Sequence, residues 1–356
     1  MSTPSSALAP MRAASGLLRD YWYVACLSET LKPNRPLGRE ILEEALVLFR
    51  DSAGKAVCFR DRCLHRNALL SEGVVKAGCV ECPYHAWRFD SKGRCVEVPS
   101  ARRDAPLPKK ELVSFPTREQ DGLVWVYMGV AEEHSQVEPF RIPHYGDAVW
   151  RQYYMETLFE NDVTNCVENF MDVPHTVTVH STWFRNKAER PVRATVERTE
   201  DSVLVTYHQE QDEIGLSTKI LNPGNEPMEH TDKFYMPNVT RVDYTFGASR
   251  GFVITSQCTP ETPSRTRVYT AIAYRMGRLA GLFGRVLLPP YTRKVIQQDV
   301  EIMANQGQSL RRYGSEFLNG EADLLHRYIE SQREWAQRGG EGAKPAPKRE
   351  EILFYI

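Results

Sequence analysis

Cys63-Leu64-His65 and Cys82-Pro83-Tyr84-His85 place two thiols and two imidazoles on two short stretches of one chain. Thiolates and imidazoles are the side chains that hold soft and borderline metals, and four of them make a complete ligand set. A structural zinc site could use the same four, but zinc modules usually pair like with like, as Cys-x-x-Cys with His-x-x-x-His. Here each pair mixes one Cys with one His, so each stretch can give a sulfur to one metal atom and a nitrogen to another. Short β-prone runs surround the pairs: Trp22-Tyr23-Val24-Ala25, Ala45 to Phe49 and Ala56 to Phe59 before them, Cys95 to Val98 and Leu123 to Met128 after. Such runs, spaced by Gly, Pro, Asp and Ser, describe a small all-β unit, with Asp51-Ser52-Ala53-Gly54 as a hairpin turn.

A mixed pair on each of two loops suits a Rieske 2Fe-2S cluster, in which one iron takes both thiolates and the other both imidazoles. The stretches from Cys63 to Leu70 and from Cys82 to Asp90, with Gly93-Arg94-Cys95, resemble the Rieske domain of the non-haem iron oxygenases. The resemblance implies Cys63, His65, Cys82 and His85 as the cluster ligands. The chain departs from it at Asn67 and Ala86, where that family usually has Gly, and neither is a ligand position. Respiratory Rieske proteins carry a further Cys in each loop, where this chain has Ala68 and Tyr84. A respiratory role is therefore not expected, and the potential should fall toward the lower end of the roughly −150 to +300 mV Rieske range.

A second stretch, from Asn165 to His180, contains Glu168, Asn169, Asp172, His175 and His180. Asn161-Asp162 reads as the N-cap of a helix entering it. On an ideal helix two histidines five positions apart diverge by about 140° and cannot share an ion. Pro174 removes that obstacle, because it ends the helix just before His175 and lets the imidazoles converge from a helix end and the loop after it. The spacing Asn169-x-x-Asp172-x-x-His175-x-x-x-x-His180 is similar to the mononuclear iron motif of the same oxygenases. By that resemblance His175 and His180 bind Fe(II), and Asp172 bridges to the neighbouring subunit.

Oxygen activation at such an iron wants two His and one carboxylate on one face, with the other positions open. Asp201, Asp212, Asp232, Asp243 and Asp299 all follow His180, and spacing does not choose among them. Asp299 lies in a helix-compatible run, Gln297 to Gln306, that resembles the family's third-ligand helix, so it is the expected ligand, with Glu301 second. The remaining acids read as solvated surface charges. Asn165 and Glu168 share the ligands' helix, where they could touch substrate or only cap and solvate.

At 356 residues the chain has room for about two domains. A net charge of −1 gives no bulk attraction for nucleic acid. The longest apolar run, Leu279 to Tyr291, is broken by Arg285 and two prolines and is too short to cross a bilayer, so it reads as a buried or docking segment. Eight cysteines without a disulfide-framework spacing, with a thiolate-bound cluster, favour a reducing cytoplasm. No Gly-x-Gly-x-x-Gly follows a strand and no four-cysteine ferredoxin pattern exists, so electrons must arrive from outside the chain.

The expected architecture is α+β. Residues 1–17 form a disordered arm, 18–131 an all-β Rieske domain, and 132–356 a helix-grip catalytic domain whose antiparallel sheet wraps a long helix. A helix around Leu324 to Ile329 and an added strand from Glu351 close the chain. The resemblance implies a Rieske monooxygenase catalytic subunit, of the type without a small subunit, that uses O2 and electrons from NAD(P)H through a separate reductase and possibly a ferredoxin. The subunits would form a homotrimer, with His85 of one hydrogen-bonded to Asp172 of the next. The product is a hydroxylated, demethylated or desaturated small cyclic or natural-product substrate, in a pocket for which Phe159, Trp183, Phe184, Tyr235, Tyr244 and Phe246 are candidates. The alternative is an electron-transfer iron-sulfur protein with a vestigial mononuclear site.

Overall fold

A computed structural model describes residues 16–129, 137–181, 190–208, 222, 224, 226–247, 249–276 and 278–356. Trp183, Phe184, Asp212 and residues 1–15 of the expected arm lie outside the described residues. The last two arm residues are packed: the Gly16 carbonyl accepts from Arg333 Nη2 at 2.9 Å, and Leu17 lies on the core that contains Tyr23 and Leu46.

Three small antiparallel sheets make the N-terminal part. Trp22–Leu27 pairs with Leu123–Tyr127, which pairs with Thr117–Gln120. A second sheet runs Leu37–Ile41, Glu44–Arg50, Ala56–Arg60, Ser114–Phe115, and a third Val74–Lys76, Cys79–Glu81, Arg88–Phe89, Cys95–Glu97. Alternation of side chains makes the strand Glu44–Arg50 a partition: Leu46 and Leu48 enter one core and Val47 and Phe49 another. The hairpin at Asp51 forms as expected, with Asp51 Oδ1 accepting from Ala53 N and Lys55 N, both at 2.9 Å.

The C-terminal part is one eight-stranded antiparallel sheet, in the order Arg151–Phe159, Arg265–Arg275, Arg250–Thr262, Val239–Phe246, Met228–Tyr235, Ser202–His208, Pro191–Arg198, Lys348–Tyr355. The expected terminal strand is present and begins earlier, at Lys348. Its charged residues 348 to 351 cover an edge that would otherwise offer open backbone groups.

Helices α1 (Val163–Met171) and α2 (Thr176–Val179) are separated at Pro174 as the sequence requires, and Asp162 Oδ1 caps α1 by accepting from Asn165 N at 2.9 Å. Helix α3 (Arg278–Tyr313) joins two segments that the sequence reading kept apart, and Pro289 and Pro290 lie inside it. An internal proline costs a helix about 3 kcal/mol. Packing offsets that cost: Leu288 is buried, and Thr292 Oγ1 lies 3.0 Å from Tyr153 Oη on the sheet. Helix α4 (Leu324–Gln337) buries Leu324, Leu325, Tyr328 and Ile329, while Leu318, expected on the same helix, precedes it and is fully exposed.

Strand parity assigns the two faces of the large sheet. On Arg265–Arg275, Val268 and Ile272 face the helices, whereas Tyr269 and Ala271 join Trp125 and Tyr127 of the N-terminal part. Thr259 Oγ1 donates to the Val24 carbonyl at 2.8 Å, and Leu42 N donates to the Pro260 carbonyl at 2.9 Å. One strand therefore carries the pocket on one face and the cluster-bearing part on the other.

Candidate metal centres

The first centre is a pair of matched loops. Cys63 N donates to Ala68 O at 2.9 Å and Asn67 N to Cys63 O at 3.0 Å; in the second loop Cys82 N donates to Trp87 O at 2.9 Å and Ala86 N to Cys82 O at 3.1 Å. Asn67 (φ 63°) and Ala86 (φ 55°) are both left-handed, which explains why glycine suits these two positions. The loops bury Cys63 and Cys82 in an apolar core with Phe59 and Phe89, and bring the rings of His65 and His85 to a centroid distance of 4.5 Å. His85 is exposed.

These four residues fit a two-iron cluster on their own geometry. Burial pushes the Cys63 thiol up to about 11, with the neighbouring Cys82 adding to it, so two adjacent thiols are withdrawn from water together. Nδ1 of His65 is buried with no hydrogen-bond partner among the described residues, the condition of a nitrogen kept for a metal. Trp87 stacks on the His65 ring at 4.6 Å and fixes its plane.

The second centre is built from the α1–α2 junction and the middle of α3. His175 Nε2, His180 Nε2 and Asp299 Oδ1 form a triangle with edges of 3.3, 3.4 and 3.1 Å. Donors about 2.1 Å from one ion at octahedral to tetrahedral angles stand about 3.0 to 3.4 Å apart, so the triangle fits one metal ion. Two neighbours orient it. His180 Nδ1 lies 3.0 Å from Gln298 Oε1, so Nδ1 donates and Nε2 keeps its lone pair for the centre. Asn169 Nδ2 donates to Asp299 Oδ1 at 3.1 Å.

Electrostatics points the same way. Burial pulls the His175 imidazole down, but Asp172 and Asp299 outweigh it and hold it up to about 9. Burial pushes Asp299 up, and the two imidazoles overcome this and hold it at about 2. The cage thus keeps a carboxylate ionised beside a cation, a place that a metal ion can take from a proton. Asp172 Oδ2 lies 3.4 Å from His175 Nδ1, an ion-pair approach not aligned as a hydrogen bond.

Two cavities meet at Asp172. One, of about 120 Å³, is predominantly apolar and has the triad at its wall. The other, of about 210 Å³, is polar and lies against Glu168, His326 and Glu330. Burial pushes the Glu168 carboxyl far above its ordinary range and Glu330 up to about 7, and pulls His326 down.

Among the described candidate acids, only Asp299 reaches the two histidines; Glu301 is exposed and accepts from Gln297 at 3.2 Å. Asp201 is exposed, as read. Asp232 and Asp243 are not solvated charges: Asp232 is 2% exposed and bound to His230 and Tyr207, and Asp243 is held by Lys233 and Arg241. Both sit on sheet strands, where cross-strand neighbours bury them. Asn165 gives its backbone N–H to the Asp162 cap and bonds Asn161 and Asp162 through its side chain; it and Glu168 line the polar cavity and not the apolar one. Among the aromatic candidates Tyr244 lines the apolar cavity, while Phe159 packs on Phe170, Tyr235 on Phe140, and Phe246 in the core beside Phe252. Phe252, Tyr291 and Asp232 line the cavity unforeseen. The signal for Asp232 was its parity with buried His230 and Phe234 on one strand.

Residues 21–116 match the family described as Rieske [2Fe-2S] domain, and residues 160–328 match the vanillate O-demethylase oxygenase C-terminal domain. The chain is 36% identical over 168 residues to the oxygenase component of dicamba O-demethylase from Stenotrophomonas maltophilia, covering 46% of this chain and 48% of that protein. It is 32% identical over 169 residues to Protein TIC 55, chloroplastic, of Pisum sativum, covering 45% of this chain and 29% of that protein. The chain thus spans half or less of the length of these curated relatives. Among solved structures, dicamba monooxygenase bound to dicamba superimposes with a TM-score of 0.78 at 22% identity, over 92% of this chain and 98% of that one.

Proposed function

We propose, since this chain belongs to the Rieske non-haem iron oxygenases as a catalytic α subunit, that it inserts oxygen from O2 into a C–H bond of a small substrate. Cys63, His65, Cys82 and His85 hold the 2Fe-2S cluster within a cluster domain of residues 18–131. His175, His180 and Asp299 hold one Fe(II) within a catalytic domain of residues 132–356. The observation that carries the reading is the triangle of three donors at the wall of an apolar cavity, in a chain that also has the cluster loops. When bound, the cluster supplies single electrons and the iron supplies the place where O2 is reduced.

The chain's own groups do the rest. Gln298 holds the His180 ring so that Nε2 faces the centre. The apolar wall excludes water from the substrate. One oxygen atom enters the C–H bond and the other leaves as water, with two electrons and two protons consumed; where the hydroxylated carbon is a heteroatom-bound methyl, its loss as formaldehyde gives demethylation, and removal of a second hydrogen in place of insertion gives desaturation, with both oxygen atoms leaving as water. A separate reductase drawing on NAD(P)H, possibly through a ferredoxin, supplies the electrons. In a homotrimer, His85 of one subunit donates to Asp172 of the next. The exposure of His85 and the 25% exposure of the Asp172 side chain support that contact. Eight free cysteines support a reducing cytoplasm, and no helix of the described residues is long and apolar enough to cross a membrane.

The complete triad counts against a pure electron carrier, which has no use for three converging ligands. Anaerobic iron and sulfide analysis with electron paramagnetic resonance, before and after nitric oxide, decides between them. About three irons and two sulfides per chain, a Rieske signal and a nitrosyl-iron signal are expected. A reconstituted cluster without a second iron would leave the electron carrier, and zinc in place of iron would end the oxygenase reading.

A further inference from the structure

The apolar cavity has one polar end, and its composition bears on what can bind there. Its floor is the large sheet, read across neighbouring strands. One cross-strand row is Asp232, Val242, Ile254 and Ile272, each paired in register with the next. The row on one side is His230, Tyr244 and Phe252, and on the other Phe234, Thr240, Ser256 and Thr270. Val242, Ile254, Ile272, Tyr244 and Phe252 face the cavity as an apolar floor, closed from above by Leu288 and Tyr291 of α3. Asp232, Ser256 and Thr270 face it as the polar groups of that floor.

Asp232 brings two carboxyl oxygens to that floor. Its Oδ1 lies 2.8 Å from His230 Nε2 and its Oδ2 2.8 Å from Tyr207 Oη, so both neighbours donate to it. His230 is fixed between the Tyr207 and Tyr244 rings, each 4.3 Å away, and the carboxylate is held as rigidly as the core around it. An ionised carboxylate has about four acceptor positions, and two of them are used by these neighbours. A buried group of this kind is costly to leave under-satisfied. Among the described residues that line the cavity there is no Lys or Arg, and the ionisable ones are Asp172, Asp232, Asp299, His175 and His180.

We propose that this cavity selects a one-ring apolar substrate carrying a hydrogen-bond donor, a hydroxyl or an amine, that Asp232 accepts. The inference rests on the oxygenase reading for its choice of site, and names the substrate class for it. The volume sets the ring count: about 120 Å³ is close to the roughly 150 Å³ of a cavity that takes benzene. Asp232 is a specificity residue here and takes no part in oxygen chemistry.

The test uses the anaerobic, iron-loaded holoprotein and four ligands with one skeleton: benzyl alcohol, benzylamine, benzyl methyl ether and benzoate. Dissociation constants are read by calorimetry, and seating beside the metal by the change each ligand makes in the nitrosyl-iron spectrum. The alcohol and the amine should bind at least about tenfold more tightly than the ether and the benzoate, a difference of about 1.4 kcal/mol. In Asp232→Asn the amine should lose its advantage over the ether. Because Asp232 also holds Tyr207 and His230, that variant is backed by Ser256→Ala, which leaves the carboxylate in place and should keep the amine's advantage. Equal binding of all four, tighter binding of the benzoate, or no binding by any of them at millimolar concentration overturns the proposal. A nitrosyl-iron signal in those cases leaves the oxygenase reading standing, whereas its absence from iron-reconstituted protein would remove that reading instead.

Discussion

At the cluster loops all four donors come from two short turns of one small domain, and the turns repeat the same pair of backbone hydrogen bonds around Cys63 and Cys82. At the mononuclear centre the donors come from an interrupted helix and from another helix far along the chain, at Asp299. The cysteines and the triad are both withdrawn from solvent, but the cluster keeps one exposed imidazole, His85, while His180 and Asp299 are 3% and 5% exposed. The first arrangement depends on local backbone conformation and leaves an imidazole edge open at the surface. The second depends on tertiary packing, and its opening is the cavity itself.

The sharpest way to break this comparison is to remove one donor from each centre. Cys82→Ser should abolish the cluster's visible absorption and all turnover. Asp299→Ala should lower iron from about three to about two per chain, keep that absorption, and reduce turnover to background. Loss of the cluster spectrum in Asp299→Ala would mean that the two centres are not built independently. Asp172→Asn comes next: both metals stay bound, and steady-state turnover falls about 100-fold. Full activity in that variant would remove the route from His85 of one subunit to Asp172 of another.

A smaller effect separates the two centres by protons. His175 has its folded value raised from 6.5 to about 9, so without metal the imidazole is protonated at pH 7.5. Metal needs the neutral ring, and binding Fe(II) at that pH should release about one proton per ion. The release should fade as pH rises through about 9. Calorimetry in two buffers of different ionisation enthalpy measures it, and no buffer dependence at pH 7.5 would show that the imidazole is already neutral.

The smallest effect belongs to the cluster loops. Ala86 carries a side chain at φ 55°, where L residues are disfavoured by about 1–2 kcal/mol, and part of that gain is offset by the freer unfolded chain. Ala86→Gly should stabilise by about 0.5–1 kcal/mol in thermal unfolding. Asn67→Gly should change little, because asparagine visits that conformation readily.

Legibility followed the same division. The cluster residues could be read from spacing because the donors are neighbours in the chain, and even the two departures from glycine fell on the two left-handed turns. For His175 and His180, Pro174 removed only the obstacle to convergence; resemblance to the mononuclear iron motif made them candidates, and packing brings their Nε2 atoms within 3.3 Å. Asp299 could not be reached from spacing, since several acids follow His180 and only the packing of α3 brings one of them to the histidines. Resemblance to a known helix supplied that residue. Asp232 was misread as a surface charge because burial on a sheet is decided by partners elsewhere in sequence: Val205 on one side and Val242 on the other. Phe159, Tyr235 and Phe246 could have been pocket or ordinary packing, and only three-dimensional neighbours decide it: Phe159 and Phe246 enter cores and Tyr235 packs half-buried on Phe140.

Helix α3 carries Leu288, Thr292, Val295, Ile296 and Asp299 along one stripe against the cavity. At about 1.5 Å per residue, the eleven steps from Leu288 to Asp299 span about 16 Å, and each turn marks about 5.4 Å. The stripe is a ruler laid from the far wall of the cavity to the centre. Enlarging Leu288 or trimming Thr292 would then shift which carbon of a one-ring substrate reaches the end formed by His175, His180 and Asp299, so regiochemistry is written in the spacing of side chains outside that triad.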